Sequence, residues 1–449
     1  MFKNAKVYLV FLSILVKIMV FYIKKCYYSY RKGVFDMAGI VMEGKKDLSI
    51  STEIVDVSNP SKVYVPLINC GVVCTATAKK GKKVKKGTKI GIRKDIDFPI
   101  LSPVSGTVLD IKECLYLNGD KVPCVVISND KLEKTVSKKL VKDLSSYSKD
   151  EFVELLRKCA VTGMGGSDFP TFIKYKADLK ILIVNAVECE PYLTADTMLS
   201  RLKSEEILEC ISAIMKINGI KKCFIAYKEN NSVVRDAFEP YINEYKDILL
   251  KPVKNIYPAG WERSVVKSVL SLDYDKYPSE IGVVVNNIST IYAIYKALKY
   301  QRNATKRIVT LSGEGFNEPV NILAKYGTEL GPIVRKLGKY KVSSRIVAGG
   351  PMMGRALMND NVVVTANLNG LLFLKDLKEE LNNCMGCGRC INVCPQKLCP
   401  VFIMKNINNI DKLKDFHPEL CVECGLCSYI CPSKLGLRDA VILAKEKVK

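Results

Sequence analysis

The sequence predicts a multidomain protein of mixed α/β and β class that ends in a helical segment carrying two cysteine-rich loops. Three observations predict it. Short β-rich runs separated by Gly, Pro and Asn turns fill the first third of the chain. Strand-like and helix-like stretches alternate through the middle. Eight of the 18 cysteines crowd into the C-terminal segment at regular two- and three-residue gaps.

At 449 residues the chain has room for three or four domains, each burying its own core. The first β domain is expected over residues 46–136, with strands at 63–67, 88–92 and 124–127. Residues 99–111 (PILSPVSGTVLDI) hold a Pro-x-Ser-Gly-x-Val turn that resembles the barrel-sandwich domains of biotinyl and lipoyl carriers. Those carriers need a lysine flanked by methionines at a hairpin tip. No Met-Lys-Met occurs here, so a structural or docking barrel is expected rather than a carrier.

Residues 137–304 read as an α/β domain. Buried-type strands at 180–184, 223–226 and 281–285 and an amphipathic helix at 197–217 predict a parallel sheet covered by helices. Residues 305–375 return to short strands and turns, including Ala-Gly-Gly-Pro-Met-Met-Gly at 348–354. Residues 376–449 form the helical segment.

Residues 1–45 are a hydrophobic and basic extension. Residues 7–23 are apolar apart from Ser13 and Lys17, and Lys24, Lys25 and Arg31 follow. This is either a short anchor or translated upstream sequence with the start at Met37 or Met42; the central lysine and the length favour the second. No small-residue cleavage site follows.

The 69 Lys and Arg against 46 Asp and Glu give a formal charge of +23, scattered apart from a denser run at 79–88 (KKGKKVKKGT). No nucleic-acid-binding motif accompanies the charge, so the expected partner is an acidic redox protein and not nucleic acid. The cysteine clustering requires thiolates and a reducing compartment, which predicts a cytoplasmic protein, either free or peripheral on the inner face of the membrane.

The cysteine pattern is specific. Cys384, Cys387, Cys390 and Cys394-Pro395 form one C-x₂-C-x₂-C-x₃-C-P run, and Cys421, Cys424, Cys427 and Cys431-Pro432 form another. Three closely spaced thiolates wrap one face of a [4Fe–4S] cubane, and the cysteine before proline ligates the other cluster. The expected sets are Cys384, Cys387, Cys390 and Cys431 for one cluster, and Cys421, Cys424, Cys427 and Cys394 for the other. Cys399 reads as packing. His417, the only histidine, reads as a loop residue, which also argues against histidine-dependent catalysis. Cys70 and Cys74 read as bystanders rather than a redox pair.

A glycine-rich turn, Gly163-Met164-Gly165-Gly166-Ser167-Asp168-Phe169-Pro170-Thr171, opens the α/β domain. Alone it is weak evidence. A buried strand then ends in Asn185-Ala186-Val187-Glu188-Cys189-Glu190-Pro191-Tyr192, placing carboxylates at the edge where α/β sheets bind ligands.

Taken together, the barrel, the glycine-rich loop, Glu-Cys-Glu-Pro-Tyr, Gly-Gly-Pro-Met-Met-Gly and the twin cysteine motifs resemble the RnfC family over roughly residues 60–445. Those are the NADH-oxidising subunits of Rnf electron-transport complexes, related to the flavoprotein subunit of respiratory complex I. The resemblance implies a barrel-sandwich hybrid, a complex I flavoprotein-like α/β domain, a β-grasp domain of the soluble-ligand-binding type and a helical ferredoxin-like domain with two [4Fe–4S] clusters. It also implies FMN and NADH sites. Gly163, Gly165, Gly166 and Phe169 would lie against nucleotide with Lys174 nearby. Asn185, Glu188 and Glu190 match its flavin- and nicotinamide-contacting strand end. Tyr257, Gly260 and Glu262 match its Tyr-Pro-x-Gly-x-Glu turn, and Asn286, Asn287 and Thr290 its Asn-rich flavin contact.

Two departures stand out. The family loop reads Gly-Gly-Ala-Gly-Phe-Pro-Thr, whereas Ser167 and Asp168 occur here, putting bulk and negative charge where nucleotide would approach. The family's Gly-Gly-x-His-Pro opening is also missing. The expected function is electron transfer from NADH through FMN to the two clusters and on to an acceptor. That acceptor is either a membrane Rnf complex or, as for paralogues in amino-acid-fermenting anaerobes, a soluble system such as D-proline reductase. The alternative is an iron–sulfur adaptor whose nucleotide site is degenerate.

Overall fold

The computed structural model describes residues 39–137, 140–375 and 380–448. The apolar stretch at 7–23 lies outside the described residues. No helix among the described residues is long and apolar enough to cross a membrane. The chain divides into Ile40–Glu379 and a unit beginning at Glu380.

The first strand, β1 (Val55–Asp56), does not join the barrel that follows it. The barrel is built from β2 (Lys62–Pro66), β3 (Ile68–Asn69), β4 (Val72–Val73), β5 (Thr75–Ala76), β6 (Lys83–Val84), β7 (Lys89–Arg93), β8 (Phe98–Leu101), β9 (Gly106–Leu115) and β10 (Lys121–Asn129). They form sheets of order β2-β10-β9-β6 and β5-β7-β8 and the two-stranded β3-β4. Alternate residues point inward, so Val63, Val65, Val108, Val125 and Ile127 share one core. Gly106 has φ +154 and lies against the Ser128 carbonyl, where a Cβ would collide with backbone. That close approach explains the glycine of the Pro-x-Ser-Gly-x-Val turn.

The α/β domain has four parallel strands: β11 (Ile181–Asn185), β12 (Lys222–Lys228), β13 (Ile248–Val253) and β14 (Val283–Asn287). Each expected strand lies within two residues of its observed place. The helix Ala195–Asn218, interrupted at Lys203, links β11 to β12 and starts two residues before the expected 197. The strand order is β13-β12-β11-β14. The chain therefore moves outward from β11 in one direction and returns to its other side with β14. The carboxyl ends of β11 and β14 flank the point where the order reverses, which opens a crevice in such sheets.

The third sheet combines β15 (Lys306–Ser312), β16 (Val320–Lys325), β17 (Ser344–Ala348), β18 (Arg355–Leu357) and β19 (Gly370–Lys375) in the order β1-β16-β15-β19-β17-β18. The helix Gly331–Leu337 follows β16, and the core gathers Val309, Leu311, Phe316, Ile322, Leu330 and Phe373. β1 runs parallel to β16, with Val55 opposite Ile322. The opening segment thus pairs with the α/β domain at Ile40 and with this sheet at Val55 and Asp56 rather than with the barrel strands.

The unit from Glu380 is helical: Arg389–Asn392, Pro400–Lys405, Ile410–Asp415, Leu426–Tyr429 and Leu437–Lys447. Its core is small, with Leu398, Ile403, Leu413, Val441 and Ala444 at the centre.

Candidate functional site

The 163–171 loop closes on itself. Gly163 N–H donates to the Phe169 carbonyl and Asp168 N–H to the Gly163 carbonyl, while Thr162 bridges Pro170. Met164 anchors one side. Its N–H donates to Thr290 Oγ1 at 2.9 Å, and its carbonyl accepts from Arg307 Nη1 at 3.4 Å. Gly165 lies so close to Asn287 that a Cβ would come within 3.1 Å of its Cβ. The N–H groups of Gly165, Gly166 and Ser167 have no partner among the described residues, and all three residues are exposed. A row of unpartnered donors without side-chain bulk, beside the carboxyl ends of β11 and β14, suits the phosphate and heterocycle oxygens of a nucleotide such as FMN.

Behind the loop the polar groups lock one another in place. Asn287 Nδ2 donates to Asp196 Oδ2 at 2.6 Å, and Ser289 Oγ donates to Asp196 Oδ1 at 2.6 Å. Lys174 Nζ reaches Glu262 Oε2 at 2.8 Å and the Val285 carbonyl at 2.9 Å. Asn185 Nδ2 donates to the Gly260 carbonyl at 2.8 Å. At Gly260 an added Cβ would lie 2.9 Å from Cys189 Sγ, so a larger residue there would have to displace that thiol. Tyr257 is fully buried, and its backbone pairs with Ile40.

Several expected nucleotide contacts face elsewhere. Glu188 caps the helix Ala195–Asn218, accepting from Asp196 N–H at 2.9 Å and from Thr197 N–H and Oγ1 at 3.2 and 2.7 Å. Burial pushes its carboxyl up to about 7, with Lys46 opposing the rise. Glu190 accepts from Met352 N–H at 3.0 Å and Met353 N–H at 2.8 Å, so it ties the Gly-Gly-Pro-Met-Met-Gly turn to β11. Asn286 points into the core and donates to Tyr175 Oη at 2.6 Å. The alternation of strand β14 sends Asn286 to the face opposite Asn287.

Asp168 also turns away from the crevice. Its carboxylate Oδ2 accepts from Cys70 N–H at 3.0 Å on the barrel, and burial pushes it up to about 6. The expected negative charge in the nucleotide path is therefore directed at the β3–β4 turn. A cavity of about 650 Å³ adjoins this contact, lined by Ile68, Cys70, Tyr116, Lys121, Ser167 and Asn367 among others.

Lys46, Asp196 and Arg307 were not singled out in the sequence. Lys46 Nζ donates to the carbonyls of Glu190, at 3.1 Å, and Leu193, and lies 3.9 Å from Glu188. Buried Arg307 bonds the carbonyls of Met164 and Ala366 and Asn369 Oδ1. These links span long stretches of chain, and no local pattern signals them. Ile40 and Lys46 show that the opening segment reaches the crevice without the histidine of the Gly-Gly-x-His-Pro pattern.

In the C-terminal unit seven of the eight motif thiols fall into two groups. Cys390 feels Cys431 and Cys387, whereas Cys394 feels Cys421 and Cys399. Burial pushes Cys424 and Cys427 up to about 12, and both face Cys394 and Cys421. Cys394, Cys421, Cys424 and Cys427 line one small cavity. Gly386, Gly388 and Gly425 adopt φ of +69, +70 and +80, which turns the loops around the thiols. Among the described residues no three ligand side chains converge on a single-ion cage. Four thiols spread around a cubane need a wider opening than one ion. The all-thiol donor set suits [4Fe–4S] clusters. His417 pairs with Glu419 at 3.0 Å on the surface. Cys399 precedes the helix Pro400–Lys405. In the barrel, Cys70 is exposed and Cys74 buried, and neither is in a disulfide.

Comparison with known proteins matches three regions to family models. Residues 36–132 match the RnfC barrel sandwich hybrid domain, residues 156–296 the Nuo51 FMN-binding domain, and residues 383–435 the 4Fe-4S dicluster domain. The C subunit of the ion-translocating oxidoreductase complex of Rhodobacter capsulatus is 31% identical over 378 residues, covering 81% of this chain and 73% of that protein. The chain belongs to the RnfC family. FMN and [4Fe–4S] clusters are the cofactors of its matched domains. Another RnfC relative belongs to the Na(+)-translocating ferredoxin:NAD(+) oxidoreductase complex of Acetobacterium woodii. It is 29% identical over 77% of this chain and 81% of that protein. The Vibrio cholerae member of the ion-translocating oxidoreductase complex is 30% identical over 77% of this chain, which spans about half (47%) of that protein's length. Among solved structures, the NAD+-reducing [NiFe]-hydrogenase in the H2-reduced state matches with TM-score 0.48 and 15% identity, covering 68% of this chain and 63% of that one.

Proposed function

We propose that this RnfC-family chain is an electron-transfer subunit that takes electrons from NADH through FMN to two [4Fe–4S] clusters and delivers them to an acceptor protein. The observation that carries this reading is the row of unpartnered N–H groups at Gly165, Gly166 and Ser167, set beside Asn287 where the sheet order reverses. FMN, when bound, supplies the conversion between two-electron and one-electron transfer.

The chain's own residues bind and orient. Gly165 and Gly166 permit close approach of a planar heterocycle, and their N–H groups would hold its oxygens. Thr290, Asn287 and Asp196 keep that loop at a fixed distance from β14. Lys174, paired with Glu262, adds a positive charge at the edge of the crevice. In the C-terminal unit, Cys384, Cys387, Cys390 and Cys431 would ligate one cluster, and Cys421, Cys424, Cys427 and Cys394 the other. The acceptor, on the analogy of the named relatives, is another part of an ion-translocating oxidoreductase complex.

The adaptor alternative depends on Asp168 obstructing nucleotide. Since that carboxylate bonds the barrel hairpin, the alternative loses its motive. Anaerobic purification with flavin and iron reconstitution tests the proposal. The expected result is a flavin band together with bleaching of cluster absorbance on adding NADH. Absence of both would overturn it.

A further inference from the structure

We infer that Asp168 is a positioning residue: it staples the glycine-rich loop to the barrel hairpin and so holds the unpartnered donors at residues 165–167 in place. The inference rests on reading that loop as the flavin cradle.

The hairpin supplies a donor its own fold leaves over. β3 and β4 are joined by Cys70 and Gly71, both left-handed at φ +49 and +78, in a two-residue turn. Such turns point the N–H of their first central residue away from the ladder. That group, on Cys70, is accepted by Asp168 Oδ2 at 3.0 Å, and the Asp168 main-chain oxygen accepts Asn69 Nδ2 at 3.0 Å. The contact is therefore two-pronged, involving one side-chain and one backbone acceptor on the same residue.

The support continues into the barrel. Asn69 is buried, and Arg93 Nη1 donates to its side-chain and backbone oxygens at 3.3 and 3.4 Å. Arg93 is in turn held by Asp95, Nε to Oδ1 at 3.0 Å and Nη2 to Oδ2 at 2.8 Å. Asp168 is 8% exposed and sits at φ +51, a backbone conformation that glycine adopts without cost. An aspartate there accepts some strain and gains two bonds that glycine's missing side chain and looser backbone would not secure together.

The loop is thereby anchored at both ends by different parts of the chain. Met164 is fixed by Thr290 and Arg307, and Asp168 by the barrel; the free span between them is Gly165, Gly166 and Ser167. Holding both ends reduces the freedom that a bound cofactor would otherwise have to remove.

Three variants test this in the full chain: D168G, D168N and N69A. Two readouts apply, hydrogen exchange at residues 163–169 and the rate of flavin release, with iron content as a control on the rest of the molecule. D168G and N69A should exchange faster at the bonded amides of residues 163, 164 and 168 and release flavin about tenfold faster, the effect of one lost hydrogen bond to a charged or buried group. D168N keeps an acceptor for the Cys70 N–H and should stay close to the parent. Exchange and release within about twofold of the parent for both D168G and N69A would overturn the inference. So would a D168N as impaired as D168G. If the parent holds no flavin, the cradle reading fails, yet hydrogen exchange still decides whether Asp168 holds the loop.

Discussion

In the unit that begins at Glu380, the groups suited to hold a cofactor are side chains, whereas at the carboxyl ends of β11 and β14 they are mostly backbone N–H groups. The difference extends to stability. The C-terminal unit has a core of a few aliphatic residues, and its buried cysteines Cys390, Cys424 and Cys431 occupy places that apolar residues would otherwise fill. Thiols without metal contribute little there, so the clusters become part of the fold. The α/β domain packs Leu182, Ile211, Ile214, Ile225, Phe238 and Ile291 into a large core that is complete without any ligand. One region is organised by its cofactor, while the other offers a finished surface to it.

The largest expected effect follows from that contrast. Anaerobic iron chelation should unfold the C-terminal unit and leave the transition of residues 40–375 in place, as followed by circular dichroism on heating. Replacing Cys394 with Ala should remove about half of the iron and the EPR signal of the cluster held by the second motif. Loss of only the first-motif cluster would break the crossed arrangement.

Next come the locks behind the loop. Glu188→Ala removes the acceptor of two backbone N–H groups and of Thr197 Oγ1, and should cost about 2–4 kcal/mol in urea unfolding. The pH dependence has a definite sign. Because burial raises the Glu188 carboxyl to about 7, the folded state keeps a proton that the unfolded state releases near its ordinary value. This group therefore favours the folded state below about pH 4.5, and that contribution is lost as pH rises to about 7. Glu188→Gln should flatten that slope. An unchanged slope would show that the carboxyl is not the source.

Smaller is Gly165→Ala. The new Cβ meets Asn287 at 3.1 Å, which asks for a shift of a few tenths of an ångström. Flavin affinity should fall about tenfold while thermal stability stays near the parent. Equal losses in both would mean that the loop serves packing and not the cofactor. Smallest is His417→Asn. Among the described residues the His417 side chain bonds Glu419 at the surface, so cluster spectra should be unchanged and stability altered by less than about 0.5 kcal/mol.

The same contrast explains what the sequence disclosed. Cysteine spacing is a local code, because three thiols on one loop need fixed gaps and glycines with positive φ, all within about ten residues of chain. Three strands of the barrel and three of the parallel sheet were legible from their apolar runs, with ends displaced by one to three residues, whereas β13 was not singled out. The crevice was legible in its backbone, through the glycines, and less so in its side chains. Glu188 and Glu190 occupy the expected strand end, but their carboxylates serve a helix and a distant turn. The direction of Asp168 depends on a hairpin 98 residues earlier in the chain. Lys46, Asp196 and Arg307 stand in unremarkable sequence and acquire meaning only when the sheets assemble. The pairing of residues 55–56 was illegible for the same reason: a two-residue strand has no pattern of its own, and its partner lies in β16.

That pairing has a consequence for how the chain is made. Ser49 waits for Asn321, which is 272 residues further along, and β1 waits for β16. At the usual pace of synthesis, about 5–20 residues per second, the interval is roughly 15 to 55 s. The barrel, with its strands close in sequence, can close long before then. During this window a nascent chain carries a finished barrel preceded by an unpaired strand, and Lys46, whose partners lie at residues 188–193, can be set before that strand meets its own.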